Sequence, residues 1–265
     1  VQIDPAVFWP VVALAFGLAV GSFLNVVIWR LPRGESLVRP ASRCPQCERP
    51  IKPWENVPVL SWLVLRGRCA GCGGRISVRY PAIELLTGLW FAAMAWLVGD
   101  PVAWAAWATF GAMLIALAGI DLDHYILPDV LTMPLIPLGI LFQGVWMGRP
   151  WDLLLIDVIC GPAFLLALRE GYRRLRGIEG LGLGDVKLMA GIGAFLGWRG
   201  VLGTVFAGSL VGAVVGVVLA ARRGAGMQLK LPFGPFLVGG ALLWLLLELT
   251  GHSGWLVPDP AAIPR

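Results

Sequence analysis

The sequence predicts an all-α, polytopic integral membrane protein with about eight transmembrane helices and one small cytoplasmic loop domain. Three observations carry that expectation. The composition is 58% hydrophobic and 14% charged, with mean hydropathy +0.79, whereas soluble domains carry roughly 25% charged residues. The apolar residues fall into runs of membrane-spanning length. The basic residues collect on alternate connections between those runs, as they do when one side of a membrane retains them.

In chain order the apolar runs lie near 7–29, 81–98, 102–120, 130–147, 153–168, 186–198, 201–220 and 233–250. The first has no basic stretch before it and is long enough to span, so it reads as a membrane helix and not as a cleaved signal segment. Gly (35) and Pro (20) are abundant, as membrane helices allow where they pack closely or break. With the amino terminus outside, segments 30–80, 121–129, 169–187 and 221–232 face inward and hold ten, none, five and three Lys or Arg. Only Arg149, Arg199 and Arg265 remain outside, and the positive-inside rule selects this threading over its inverse. The net charge of +5 then reflects topology and anionic membrane lipids as partners, with no nucleic acid needed to explain it. The run 186–198 is short, about 20 Å of helix against a hydrocarbon core of about 30 Å. It is read as a crossing, because a re-entrant element would place Arg222 and Arg223 outside. The chain thus divides into a first transmembrane helix (1–29), a cytoplasmic loop domain (30–80) and a transmembrane core (81–265).

The loop carries Cys44-Pro45-Gln46-Cys47 and Cys69-Ala70-Gly71-Cys72. Two C-x-x-C knuckles place four thiolates on two tight turns, which is the donor set of a tetrahedral structural zinc site. C-x-x-C also serves disulfide exchange. A loop facing a reducing cytoplasm suits a closed metal site better, and about fifty residues need the folding energy a metal supplies. Four cysteines leave no open coordination position, so such a zinc is structural and not catalytic. The fifth, Cys160, falls mid-span and reads as a packing residue.

Carboxylates at the edge of lipid are expensive and therefore informative. Asp121 closes the apolar run GAMLIALAGI, and Asp123 and Asp129 follow within the same inward segment. Asp121 and Asp123 point in roughly opposite directions on a continuing helix, so one of them faces a given site. Pro128 starts the next span with Asp129 in its first turn, where an acid complements the helix dipole. His124 reads as a headgroup-level side chain. The second inward acid is Asp185, at the end of the ladder Gly180-Leu181-Gly182-Leu183-Gly184. Glycine at every second position disfavours regular helix and admits close backbone approach; the competing structural reading is an Asp that caps the following helix. Phosphate binding fits poorly, since no strand precedes the ladder and no G-K-[ST] follows. Two carboxylates converging from different helices share a proton, as in aspartic proteases. Glu84, placed in the first turn of its span, is explained by the dipole; Asp157 and Glu248, near outer ends, read as structural, with Asp157 within reach of headgroups.

Taken in order, these segments resemble the bacterial type IV prepilin peptidases, the leader peptidase/N-methyltransferases. The resemblance runs through Gly21-Ser22-Phe23-Leu24-Asn25-Val26-Val27 leading into Arg30-Leu31-Pro32, both knuckles, Pro53-Trp54-Glu55-Asn56-Val57-Pro58 and Arg79-Tyr80-Pro81-Ala82-Ile83-Glu84. It continues through Ile120-Asp121-Leu122-Asp123, Leu127-Pro128-Asp129, Gly182-Leu183-Gly184-Asp185-Val186-Lys187 and Pro232-Phe233-Gly234-Pro235. It implies an eight-helix intramembrane aspartyl protease of the GxGD type in the inner membrane, with Asp121 and Asp185 catalytic. The implied substrates are prepilins of type IV pili or pseudopilins of type II secretion, cut on the cytoplasmic side after a basic leader. The implied second activity is methylation of the new amino terminus with S-adenosylmethionine, and the loop from the first knuckle to Tyr80 matches the domain that accompanies it. No G-x-G-x-x-G follows a strand, so the methyl-donor site is not assigned from the residues. The alternatives are a peptidase without methyl transfer, a membrane disulfide oxidoreductase using the C-x-x-C pairs, or a non-catalytic zinc-bearing scaffold.

Overall fold

A computed structural model describes residues 5–177, 181–223 and 231–252, so Gly180, Lys230 and Arg265 lie outside the described residues. The chain divides into two units, one up to Ala116 and one from Leu117 onward. Each is helical, and the described residues outside helices add only two isolated β-bridges, both in the loop.

The first unit contains α1 (Pro5–Arg30), the short loop helix α2 (Leu60–Val64), α3 (Arg79–Leu97) and the first part of α4 (Pro101–His124). Gly17 and Gly21, one turn apart on α1, let α3 approach at backbone distance. A Cβ at Gly21 would sit 2.6 Å from Glu84 Cα, and one at Gly17 would sit 2.7 Å from Phe91 Cβ. This is the small-residue packing that joins helices where no hydrophobic force distinguishes neighbour from lipid. Two indoles satisfy their donors on backbone, Trp90 Nε1 on the Trp107 carbonyl at 3.0 Å and Trp104 Nε1 on the Phe91 carbonyl at 3.2 Å. Glu84 corrects the sequence reading. Because α3 begins at Arg79, Glu84 lies beyond the first turn, is buried, and accepts the Val59 amide at 2.7 Å. Val59 itself has φ 60°, a costly backbone for a β-branched residue. Glu84 therefore ties the loop to α3, a job that the helix dipole does not describe.

The second unit contains the end of α4, α5 (Asp129–Ile140) running on as a π-helical turn (Leu141–Trp146), α6 (Trp151–Arg176), α7 (Leu183–Arg223) and α8 (Gly234–Leu249). Pro134 and Pro137 withhold backbone donors inside α5, and the wider turn follows them. Helix α7 packs against α5, α6 and α8. At 41 residues a straight α7 would run about 60 Å, twice the hydrocarbon thickness. It breaks at Gly197, whose φ 69° and ψ 175° are not helical. Asp157 of α6 seals the break: Oδ1 accepts the Trp198 amide at 2.8 Å and Oδ2 accepts Arg149 Nε at 2.6 Å. Asp157 is only 1% exposed, which corrects the expectation that it reaches headgroups. Its structural role stands, as a buried ion pair that caps a helix.

Among the described residues, six helices are long and apolar enough to cross a membrane. Counting the two halves of α7 separately and adding the shorter α8 makes eight apolar helical segments among the described residues, in register with the eight runs read from sequence. The chain is a multi-pass membrane protein. The half of α7 before Gly197 corresponds to the short run, but it begins at Leu183, inside the glycine ladder.

Candidate active site and metal site

Asp121 and Asp185 both belong to the second unit and are brought to one cavity. Asp121 occupies the last turn of α4, closed by the Tyr125 amide on the Asp121 carbonyl at 2.9 Å. Tyr125 then takes φ 57°, ending the helix in the left-handed region. Asp185 lies in the first turn of α7. The two residues are 5% and 8% exposed, and both line the same cavity.

Each carboxylate is held by one backbone amide. Asp121 Oδ2 accepts Gly234 N–H at 3.0 Å, at the start of α8. Asp185 Oδ2 accepts Gly182 N–H at 3.2 Å, reaching back over the helix start as in half of a capping box. The capping role weighed from sequence and the placement in a shared cavity are thus both present in Asp185. The second oxygen of each group makes no hydrogen bond to a described residue that would compete with water or substrate.

The cavity has a volume of about 290 Å³ and is lined by Asp121, Tyr125, Leu127, Asp129, Asp185 and Lys187, among others. Lys187 Nζ bridges both oxygens of Asp129 at 2.7 and 2.8 Å, tying the start of α5 to the start of α7. That gives Asp129 a positioning contact beyond its place in the dipole. Leu127 forms the floor: a Cβ at Gly184 would meet Leu127 Cβ at 3.0 Å, and one at Gly234 would meet Leu127 Cδ2 at 3.3 Å. Asp123 is exposed, and neither it nor His124 lines the cavity. The helical argument that Asp121 and Asp123 face different ways holds, and Asp121 is the one turned inward. Residue-by-residue reading assigned no role to Tyr125, Leu127, Gly234 or Lys187. The only signal for them was their presence inside the motifs around the aspartates and in Pro232-Phe233-Gly234-Pro235.

In the loop of the first unit, the two knuckles fold alike. Cys44 N–H donates to the Arg49 carbonyl and Glu48 N–H returns to the Cys44 carbonyl, while Cys69 N–H donates to Gly74 and Gly73 N–H returns to Cys69. Glu48 and Gly73, at equivalent positions, both have positive φ. The repeat brings the sulfurs of Cys44, Cys47, Cys69 and Cys72 within 4.8 Å of one another, with Cys44 and Cys72 Sγ 3.9 Å apart. A tetrahedron with metal–sulfur bonds of about 2.3 Å has edges of about 3.8 Å, so this cluster fits a four-coordinate metal ion. Amides of Cys72 and Gly71 point at Cys69 and lower its thiol to about 6. Cys72 is pushed up to about 11: the Gly74 amide favours its thiolate, but bonding to Cys47, burial, and bonding to Cys69 and Cys44 outweigh it. Four sulfurs this close cannot all carry charge without a cation among them. Cys160, half-buried on α6, stands outside the cluster.

The chain thus carries a pair of buried carboxylates lining one cavity and a separate four-cysteine cluster, and relatives supply the class. A family model described as Type IV leader peptidase family matches residues 108–217. A second, described as Bacterial Peptidase A24 N-terminal domain, matches residues 15–98. The chain is 39% identical to a prepilin leader peptidase/N-methyltransferase of Stutzerimonas stutzeri over 88% of this chain and 89% of that one. It is 39% identical to one of Neisseria gonorrhoeae, covering 94% of each. Against one of Myxococcus xanthus it is 44% identical, over 83% of this chain and 67% of the relative. No solved structure matches. The chain belongs to the type IV leader peptidase family, peptidase A24.

Proposed function

We propose that this enzyme is an intramembrane aspartyl endopeptidase that removes the basic leader of type IV prepilins or type II secretion pseudopilins on the cytoplasmic side of the inner membrane. Asp121 and Asp185 are its catalytic pair. The observation that carries the reading is the meeting of two buried carboxylates, each pinned by one amide, in a single open cavity. One carboxylate, ionised, takes a proton from water as the water oxygen attacks the scissile carbonyl carbon. The other, protonated, donates to the carbonyl oxygen. Collapse of the tetrahedral intermediate breaks the C–N bond, and the leaving amine takes up a proton. The amide contacts fix each oxygen at its place before substrate arrives, which is where positioning of reacting groups gains rate.

The inward placement of Lys and Arg supports a cytoplasmic active site, and the same charges attract anionic lipid. Cys44, Cys47, Cys69 and Cys72 would hold a structural zinc that organises the 30–80 loop. The gathering of all four thiols into one cluster favours this over a disulfide-exchange reading, which needs only pairs. The second activity, by the reading taken from the relatives, is methylation of the new amino terminus. When bound, S-adenosylmethionine would supply the electrophilic methyl for that amine.

The test is Asp121→Asn and Asp185→Asn, each assayed on a prepilin in detergent. Each should lose cleavage by more than about 10³-fold, the upper range for removing an acid–base group. A folded variant that retains full cleavage removes that residue from the pair.

A further inference from the structure

The relatives' names carry two activities, and the carboxylate cavity accounts for one. The peptidase-named segment, residues 108–217, holds both aspartates, whereas residues 15–98 match a separate N-terminal domain. That domain has a cavity of its own, about 290 Å³, between the end of α1 and the loop after it. Its volume lies near the lower end of the about 300–1,000 Å³ of small-molecule sites.

Its chemistry is specific. Arg30 is only 9% exposed, yet its recorded hydrogen bond runs from Nη1 to the Ser36 carbonyl at 2.9 Å, and no carboxylate pairs with it among the described residues. A guanidinium has five donors, and a largely buried one calls for an anion. Ser42 and Asn56 add hydroxyl and carboxamide groups to the same lining, Phe23 and Leu37 give it apolar walls, and the Ser22 hydroxyl beside them is engaged by Glu84. An anion receptor beside neutral hydrogen-bonding groups and apolar surface matches a ligand with a carboxylate, sugar hydroxyls and a flat base.

We propose that this cavity is the methyl-donor site, with Arg30 receiving the carboxylate of S-adenosylmethionine. Ser42 and Asn56 serve its ribose and amino groups, and Phe23 and Leu37 bound its adenine. The proposal rests on the methyl-transfer reading above and assigns it a location.

The test uses the full chain in detergent micelles and tritiated S-adenosylmethionine, read by equilibrium dialysis and by ultraviolet cross-linking. Arg30→Gln removes the anion receptor. Ala41→Trp fills the cavity from an exposed position, so it probes the site even where the first variant fails to fold. Elution volume and bound metal report folding. Both variants should weaken donor binding by at least about tenfold, the scale of a lost charge-assisted contact. Cross-linked label should fall on the cavity lining, which is drawn from the stretch 19–42 and from Asn56. Wild-type methylation with unchanged donor affinity in both variants, or label elsewhere, overturns the site and leaves the methyl-transfer reading intact. A wild-type chain that neither binds donor nor methylates overturns both. Loss of copurifying phospholipid from Arg30→Gln at unchanged donor affinity makes the cavity a headgroup seat and overturns the proposal.

Discussion

Gly234→Ala is the substitution whose consequence the geometry states most sharply. The added Cβ would lie 2.6 Å from Asp121 Oδ2 and 3.1 Å from its Cγ, inside the 3.4 Å at which ordinary contact begins. Leu127 blocks retreat on one side, with Cδ2 at 3.3 Å from the same position. The carboxylate must therefore move by nearly an ångström and weaken its 3.0 Å bond to the Gly234 amide. A hydrogen bond to a charged group is worth about 1.5–3 kcal/mol, and a misplacement of about 1 Å costs up to about 10²-fold in rate. Gly234 is the first residue of α8, where alanine in helical conformation is, if anything, favoured. Cleavage should fall about 10- to 100-fold with the melting temperature nearly unchanged, measured as prepilin turnover at saturating substrate alongside thermal unfolding in detergent. Turnover within twofold of wild type would show that Asp121 does not need its observed position.

The remaining predictions address the supports around that site. Cys44→Ser and Cys72→Ser should each lose bound metal by elemental analysis, since three sulfurs and a hydroxyl no longer close the tetrahedron; stoichiometric zinc in both variants counts against the four-thiolate site. Asp157→Asn keeps an acceptor for the Trp198 amide but leaves Arg149 without its anion. As Arg149 is partly exposed, the loss should sit near the lower end of the about 3–5 kcal/mol for breaking a buried pair, visible as a lower melting temperature, and an unchanged melt refutes the stabilising role of the ion pair. Glu55 is held below the ordinary carboxylate range by its bond to Arg49 and by the Lys52 amide. That contribution is present above the unfolded pKa and disappears as pH falls through the lower folded value, so Glu55→Gln should flatten the acid limb of Trp54 fluorescence in the loop. An identical acid limb in the two proteins refutes it.

Membrane residence, the eight apolar segments and the four-cysteine cluster were legible because each depends on local chemistry. A run of apolar residues has to be buried wherever it goes, and C-x-x-C places two sulfurs on one turn without help from the rest of the chain. The glycine ladder was less legible. Alternating glycine suggested a loop, yet α7 starts at Leu183 within it, because packing of Gly184 on Leu127 and the reach of Asp185 to the Gly182 amide outweigh propensity. Asp157 and Glu84 were legible only in part, one as a structural acid within reach of headgroups and the other as a dipole acid. Their partners, Arg149 with Trp198 and Val59, come from separate segments, and nothing in the spacing of the acids predicts them.

By itself the sequence determined the solvent this chain folds in, the donor set for a metal, and the short roster of acids able to do chemistry, since those follow from residue type and its immediate neighbours. Only the tertiary structure decided which acid turns inward, that Asp121 rests on the amide of Gly234, more than a hundred residues away, and that Leu127 walls the cavity between two glycines. Contacts of that range depend on how helices are set against one another, and a linear pattern does not encode the distance between their ends.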